Sequence, residues 1–490
     1  LELAAAPSPL RGGVGRGARR AMTHPFKPRT THAELGEGYF DRVRAASFPE
    51  HILRYRNQRA AASVGLDGLT DEEWVNYFGR FEPLPGSFPE PLALRYHGHQ
   101  FQTYNPDLGD GRGFLYAQLE DLNDGRLMDL GTKGSGRTPW SRAGDGRLTL
   151  KGGVREVLAT AMLEALGVNT SKSLSLIETG EELQRGDEPS PTRSSVLVRL
   201  SHGHTRIGSF QRLSYLKEEE RLRGLLDHSV RAYYPELWVE GDNSRAARFL
   251  GAVSEQVAET GARWIAAGFV HGVLNTDNIN ITGESFDYGP WRFLPVYDPG
   301  FTAAYFDEWG LYAFGKQPDT LAWNLTRLAE VLLPLGEHAE LEAALNRFWP
   351  AFQRSVWSAV LQRLGLASLG VEGDALLVQE VFNFLRETQM PFEQFFFDWR
   401  GGDGARAMRS PVADHYRGAA FETLSGLLTA HPAAADANLD HPYFKRDVPR
   451  TMLIDEMEAL WAPIAERDDW RPLYEALGEI EEMREAYAGE

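Results

Sequence analysis

Cysteine is absent from all 490 positions, which excludes disulfides, thiol nucleophiles, Cys-type zinc sites and cysteine-ligated iron–sulfur clusters together. Long apolar runs are missing as well. No uninterrupted stretch approaches the roughly 18 residues of a membrane-spanning helix, and the mean hydropathy of -0.37 agrees. Positive charge is the scarcer sign, with 51 Lys and Arg against 69 Asp and Glu, a net charge of -18 and a pI near 5.3. Such a surface repels nucleic acid and anionic lipid. No nucleic-acid or membrane partner is therefore expected, a cytoplasmic location is, and any phosphate site has to be assembled locally against the prevailing charge.

A chain of 54.8 kDa is too long for one core, so two or three domains or one large two-lobed unit are expected. Residues 1–30 are rich in Arg, Gly, Ala and Pro, with Glu2 the only acid and the first Met at position 22. They read as a poorly ordered leader or an expression remnant. Asp71–Phe78 has helical character, and the Pro-rich stretch from Phe81 to Pro91 reads as a loop. Phe114 to Leu119 alternates as a strand does, Asn123-Asp124-Gly125 signals a tight turn, and Leu127 to Lys133 returns as a second strand.

The segment from Gly131 to Arg155 reverses the overall charge. It holds Lys133, Arg137, Arg142, Arg147, Lys151 and Arg155 against the single acid Asp145, threaded with Gly131, Gly134, Gly136, Gly144 and Gly146. Backbone N–H groups and cations in such a loop can cradle an anion, although a charge run is more often a solvated surface. It is not a Walker A loop, because Lys133 precedes the second glycine of GTKGSGRT. Val154 to Leu166 follows as an amphipathic helix stopped by Gly167, with Glu156 placed in its first turn, where the helix dipole alone would favour it. Leu174–Glu178 and Val196–Leu200 read as further strands. From about residue 215 the pattern turns helical, over 245–268, 320–333, 338–366, 375–388, 413–430 and 451–482.

Within that helical half, Phe269 to Gly289 gathers Asp277, Asp287, three Asn and His271 between short apolar runs. Asn278 and Asp287 offer oxygen ligands for a hard cation such as Mg2+ or Mn2+, with coordination positions left for phosphate. A strand Lys133 and a helix Glu156, followed by Asn278 and then Asp287-Tyr288-Gly289, reproduce the order of parts in a protein kinase. The expected fold is accordingly α+β and protein-kinase-like: a β-rich N-lobe over 31–215, a helical C-lobe over 216–490, and N- and C-terminal extensions. One position departs from the kinase pattern. Five residues before Asn278, where a kinase carries its base Asp, stands Val273. Asp277 is the nearest substitute base, or else a turn-forming Asx residue, and His271 is a second candidate base or a scaffold residue.

HGHQF at 97–101, LGDGR at 108–112, KGSGRTPWSRAGDGR at 133–147, REVLATAM at 155–162, FVHGVLNTDN at 269–278 and DYGP at 287–290 together resemble the selenoprotein O family, which includes the bacterial YdiU proteins. The resemblance is strongest over residues 90–300. It implies a pseudokinase that adenylylates proteins, with ATP bound inverted, AMP passing to a Ser, Thr or Tyr hydroxyl, and pyrophosphate leaving. Motif by motif it implies nucleotide contacts at Gly109, Gly111, Arg112, Lys133, Asp145, Gly146, Arg199 and Arg206. It further implies Glu156 paired with Lys133, Asp277 as proton acceptor, and Mg2+ on Asn278 and Asp287. A phosphotransferase with ordinary nucleotide orientation and a non-catalytic nucleotide-binding scaffold remain open beside that reading. The chain departs from the family in lacking the cysteine or selenocysteine used for redox control, in a loosely similar C-terminal portion from residue 441, and in Gln102 where a Gly is usual.

Overall fold

The computed structural model describes residues 25–186 and 188–488, so most of the expected leader lies outside the described residues. Within that stretch, Pro28 and Arg29 pair with Leu119 and Gln118. The architecture is α+β: a large antiparallel sheet, followed by a long succession of helices. The sheet runs Phe40–Arg42, Leu92–Leu94, Leu115–Glu120, Leu127–Lys133, Thr192–Ser201, Lys172–Leu183, Ile52–Arg56, with short flanking strands Pro28–Arg29 and Leu148–Thr149. The expected hairpin forms, and Gly125 closes its turn at φ 78.

Strand alternation sorts the sheet's two faces. In Thr192–Ser201, Val196 and Val198 join Trp74, Phe78, Phe81, Phe114 and Tyr116 on one side. Leu197 joins Val154, Val157, Leu158 and Met162 of the Leu150–Ala165 helix on the other. Trp74 is fully buried and donates its indole N–H to Ser175 Oγ at 2.8 Å, so its one polar atom is satisfied.

Several helices differ from the sequence expectation. Thr149 caps the Leu150–Ala165 helix by accepting from Gly152 N, so the helix starts earlier than Val154 and Glu156 lies in its second turn, on the buried face. A favourable dipole position therefore does not account for Glu156. Helices Ile207–Tyr215 and Glu219–Tyr233 occupy a region that carried no helical assignment. The run 338–366 divides into His338–Leu345 and Phe348–Leu364, and 451–482 divides at Asp468, whose φ of 53 breaks the helix. The C-terminal helices Ile454–Arg467 and Arg471–Tyr487 return to the Leu150–Ala165 helix, sharing its core and pairing Lys151 with Glu458 at 2.7 Å. Among the described residues no helix is long and apolar enough to cross a membrane.

The long helix Arg245–Ala267 ends at Gly268, which takes the left-handed φ of 62. Phe269–His271 then pairs antiparallel with Trp291–Phe293, and the polar stretch between them becomes a loop pinned at both ends. Across the large sheet, Gly131 lies opposite Arg199 and Lys133 opposite Leu197, so Lys133 and Arg199 share a face. Gly131 has a steric reason to be glycine: a Cβ there would stand 2.1 Å from the buried His204 Nε2. Gly131→Ala should lower stability by about 1–3 kcal/mol through overpacking, measured by urea denaturation. An unchanged midpoint would show that His204 yields freely.

Candidate functional site

The site forms where the sheet face carrying Lys133 and Arg199 meets the helix carrying Glu156 and the pinned loop. Lys133 is buried and pairs with Glu156, while its ammonium also donates to Asp287 Oδ1 at 2.9 Å. Arg199 reaches the same Oδ1 at 3.3 Å, and Asn278 Nδ2 donates to Asp287 Oδ2 at 3.1 Å. One carboxylate thus receives donors from two strands and one turn. Burial would push Asp287 up, but Lys133, Arg199, Arg206 and Arg112 outweigh it and hold the carboxyl well below its ordinary range. Asp287 has φ 64, a left-handed conformation that costs a non-glycine residue about 1–2 kcal/mol. Tyr288 fixes it there: buried, it donates its hydroxyl to Ser285 Oγ at 2.6 Å and contacts the Thr170 hydroxyl.

Asp277 and Asn278 occupy the single turn Thr276–Asn278. The hairpin containing the HGHQF residues clamps that turn, with His99 N–H donating to Thr276 Oγ1 at 2.7 Å and Phe101 N–H to Asn275 Oδ1 at 3.1 Å. Asp277 Oδ1 is buried without a hydrogen-bond partner. Burial pushes its carboxyl up to about 6; Arg206 opposes this and Asp287 adds to it. His271 serves the scaffold: it is buried, Nδ1 accepts Val273 N–H at 3.3 Å, Nε2 faces the Phe286 carbonyl at 3.3 Å, and burial lowers its pKa.

Arg206 is buried, stacked on Tyr96 at 4.2 Å and paired with Asp110 at 3.0 Å. Asp110 sits between Gly109 and Gly111. This loop packs on Trp140: a Cβ at Gly109 would come within 2.4 Å of its ring and one at Gly111 within 2.9 Å of its carbonyl oxygen. Arg112 closes the loop against the strand end, accepting Gly134 N–H on its carbonyl at 2.7 Å. Asp145 stands apart from Lys133, exposed and paired with Arg185 at 2.8 Å. Gly146, at φ 72, packs on the Gly136 backbone.

The basic glycine loop proves mostly ordered. Arg147 grips Glu181, and Arg155 stacks on Trp291 at 5.1 Å. Burial and the neighbouring Arg292 bring the Arg155 pKa down to about 10, which leaves it charged at neutral pH. Arg137 and Arg142 are exposed, as a solvated loop would have them. Lys133, Arg112, Arg155, Arg185 and Arg292 line a cleft of about 430 Å³ in which seven basic side chains meet two acids, a volume within the range of small-molecule sites. Asp110, Asn275, Arg185, Arg292 and Tyr312 belong to this arrangement but had not been singled out. Asp110 and Asn275 carry a signal, lying inside LGDGR and FVHGVLNTDN.

Comparison with known proteins decides the affiliation. The family described as protein adenylyltransferase SelO matches residues 21–481. The chain belongs to that family. It is 46% identical over 471 residues to the protein nucleotidyltransferase YdiU of Gloeobacter violaceus, covering 93% of this chain and 94% of that one. It is 44% identical over 474 residues to the YdiU of Trichormus variabilis, covering 91% and 94%. The Synechocystis YdiU is 44% identical over 487 residues, covering 94% and 99%. SelO membership over nearly the whole chain makes this an enzyme of the nucleotidyltransferase class.

Because Asp277 binds protons more tightly in the fold than in the unfolded chain, its ionisation weakens the fold as pH rises from about 4 through about 6. Asp277→Asn should therefore raise the melting temperature at pH 7.5 and lose that advantage near pH 4. A gain independent of pH would contradict the shifted carboxyl.

Proposed function

We propose that the chain transfers AMP from ATP to a Ser, Thr or Tyr hydroxyl of a protein substrate and releases pyrophosphate. The observation that supports this most directly is the convergence of Lys133, Glu156, Asn278, Asp287 and Arg199 beside a strongly cationic cleft, in a chain of the SelO family. We read the architecture as kinase-like and two-lobed, the sheet-bearing 31–215 facing the helical 216–490, with the nucleotide inverted between them.

The acceptor oxygen attacks the α-phosphorus, a new P–O bond forms, and the bond to the β-phosphate bridging oxygen breaks with its electrons leaving on pyrophosphate. The acceptor proton passes to Asp277, whose raised pKa near 6 makes it a stronger base than an exposed carboxylate yet leaves it ionised at neutral pH. Arg112, Lys133, Arg199 and Arg206 present fixed positive charge to the phosphates, stabilising what builds up on the leaving group. Glu156 holds the Lys133 ammonium in place, and Asp145 acts through Arg185 at the cleft.

The residues present fit a divalent ion. Asn278 Oδ1 is buried without a hydrogen-bond partner beside the Asp287 carboxylate, two hard oxygens that would hold Mg2+ or Mn2+. Such an ion, when bound, neutralises phosphate charge and aligns the triphosphate. The described residues contain no cluster of three or more His, Cys, Asp or Glu suited to a metal, so phosphate and water oxygens would complete the coordination.

Parallel reactions with ATP labelled at the α- or the γ-phosphate test the proposal. Label should reach protein from the α position only, and Asp287→Ala should abolish it, with folding checked by circular dichroism. Transfer from the γ position would establish a kinase instead, and no transfer from either would leave a nucleotide-binding scaffold.

A further inference from the structure

Residues 298–310, DPGFTAAYFDEWG, contain three acids and no base. Trp309 is 91% exposed and Tyr305 86%, while Phe306 and Phe101 are also exposed. Tyr305 packs on Phe306 at 5.2 Å and Trp309 follows three residues on; exposed aromatics in one loop mark an interaction surface. The loop is nonetheless well tied. Buried Asp307 accepts Leu311 and Tyr312 N–H groups, both at 2.8 Å, and Tyr312 donates its hydroxyl to Asn275 Oδ1 at 2.6 Å. Asn275 stands two residues before Asp277 and also accepts the Phe101 N–H.

Phe101 and the following Gln102 both take left-handed φ values, 48 and 61. Strain of this kind persists where surrounding contacts impose it. Here it sets the Phe101 ring against Tyr312 at 5.1 Å and Phe306 at 6.0 Å. Tyr305 and Phe306 in turn border the cationic cleft beside Lys133. The aromatic surface is thus continuous with the nucleotide cleft on one side and, through Tyr312 and Asn275, with the Asp277 turn on the other.

We infer that this surface docks the acceptor segment of the protein substrate, an extended stretch with an arginine or lysine beside its hydroxyl residue. The inference rests on the adenylyl-transfer reading above. A guanidinium or ammonium would lie on the open Trp309 face and pair with exposed Glu308, charge and ring both favouring a cation. Glu308 repels an acidic segment there.

Fluorescent peptides with one Ser, Thr or Tyr, flanked by Arg, Leu or Glu, test this in two ways: binding by anisotropy with a non-hydrolysable ATP analogue, and transfer of α-label from ATP. Arg-flanked peptides should bind about tenfold more tightly than Glu-flanked ones. Trp309→Ser should narrow that margin, and Glu308→Lys should reverse it, with ATP affinity unchanged in both. Binding that follows this pattern without transfer would uphold the docking surface and overturn adenylyl transfer. Transfer with the same peptide preference in wild type and both variants would uphold the chemistry and overturn the docking surface, and a preference for Leu-flanked peptides would overturn the cationic partner.

Discussion

Everything at this site depends on one carboxylate. Asp287 accepts from Lys133, Arg199 and Asn278 at once. Cations gathered in a buried space repel one another unless a negative charge lies among them. Asp287, with Glu156 beside Lys133, supplies that negative charge where the sheet face carrying Lys133 and Arg199 meets the loop. Gly131, Gly268 and the pinned hairpin around 272–290 all serve that closure: one leaves room for His204, one ends the long helix, and one fixes where Asp287 arrives.

Two carboxylates ten residues apart are pushed in opposite directions. Asp287, among cations, stays ionised and available to a metal or a lysine. Asp277, with one oxygen buried and unpartnered, is held near 6. Groups whose environments separate their pKa values can divide acid–base and electrostatic roles between them. In the proposed mechanism the turn that carries Asn278 supplies the base one residue earlier, at Asp277, in place of the position that Val273 holds.

Local chemistry was legible in the sequence and tertiary context was not. The hairpin ending at Lys133 followed from alternation and Asn-Asp-Gly, and the Arg245–Ala267 helix from its apolar period and the Gly after it. Lys133, Glu156, Asn278, Arg199 and Asp287 were identified and are brought together. Asp145 was identified as well, but it does not line the cleft and reaches it through Arg185 and Arg147. The Glu156 helix starts four residues before Val154 because Thr149 caps it ahead of Gly152 and Gly153, residues that carry little helical signal of their own. Tyr312, Arg185 and Arg292 carried no local signal, since their importance arises from contacts with residues distant in sequence.

The pH dependence of AMP transfer measures the division between the two carboxylates most directly. Transfer by the wild type should fall as pH drops through about 6, with the slope of one proton. Asp277→Asn should lose both most of the rate and the inflection. An Asn variant that keeps the wild-type rate and profile would contradict the account, because the proton would then be leaving to some other group.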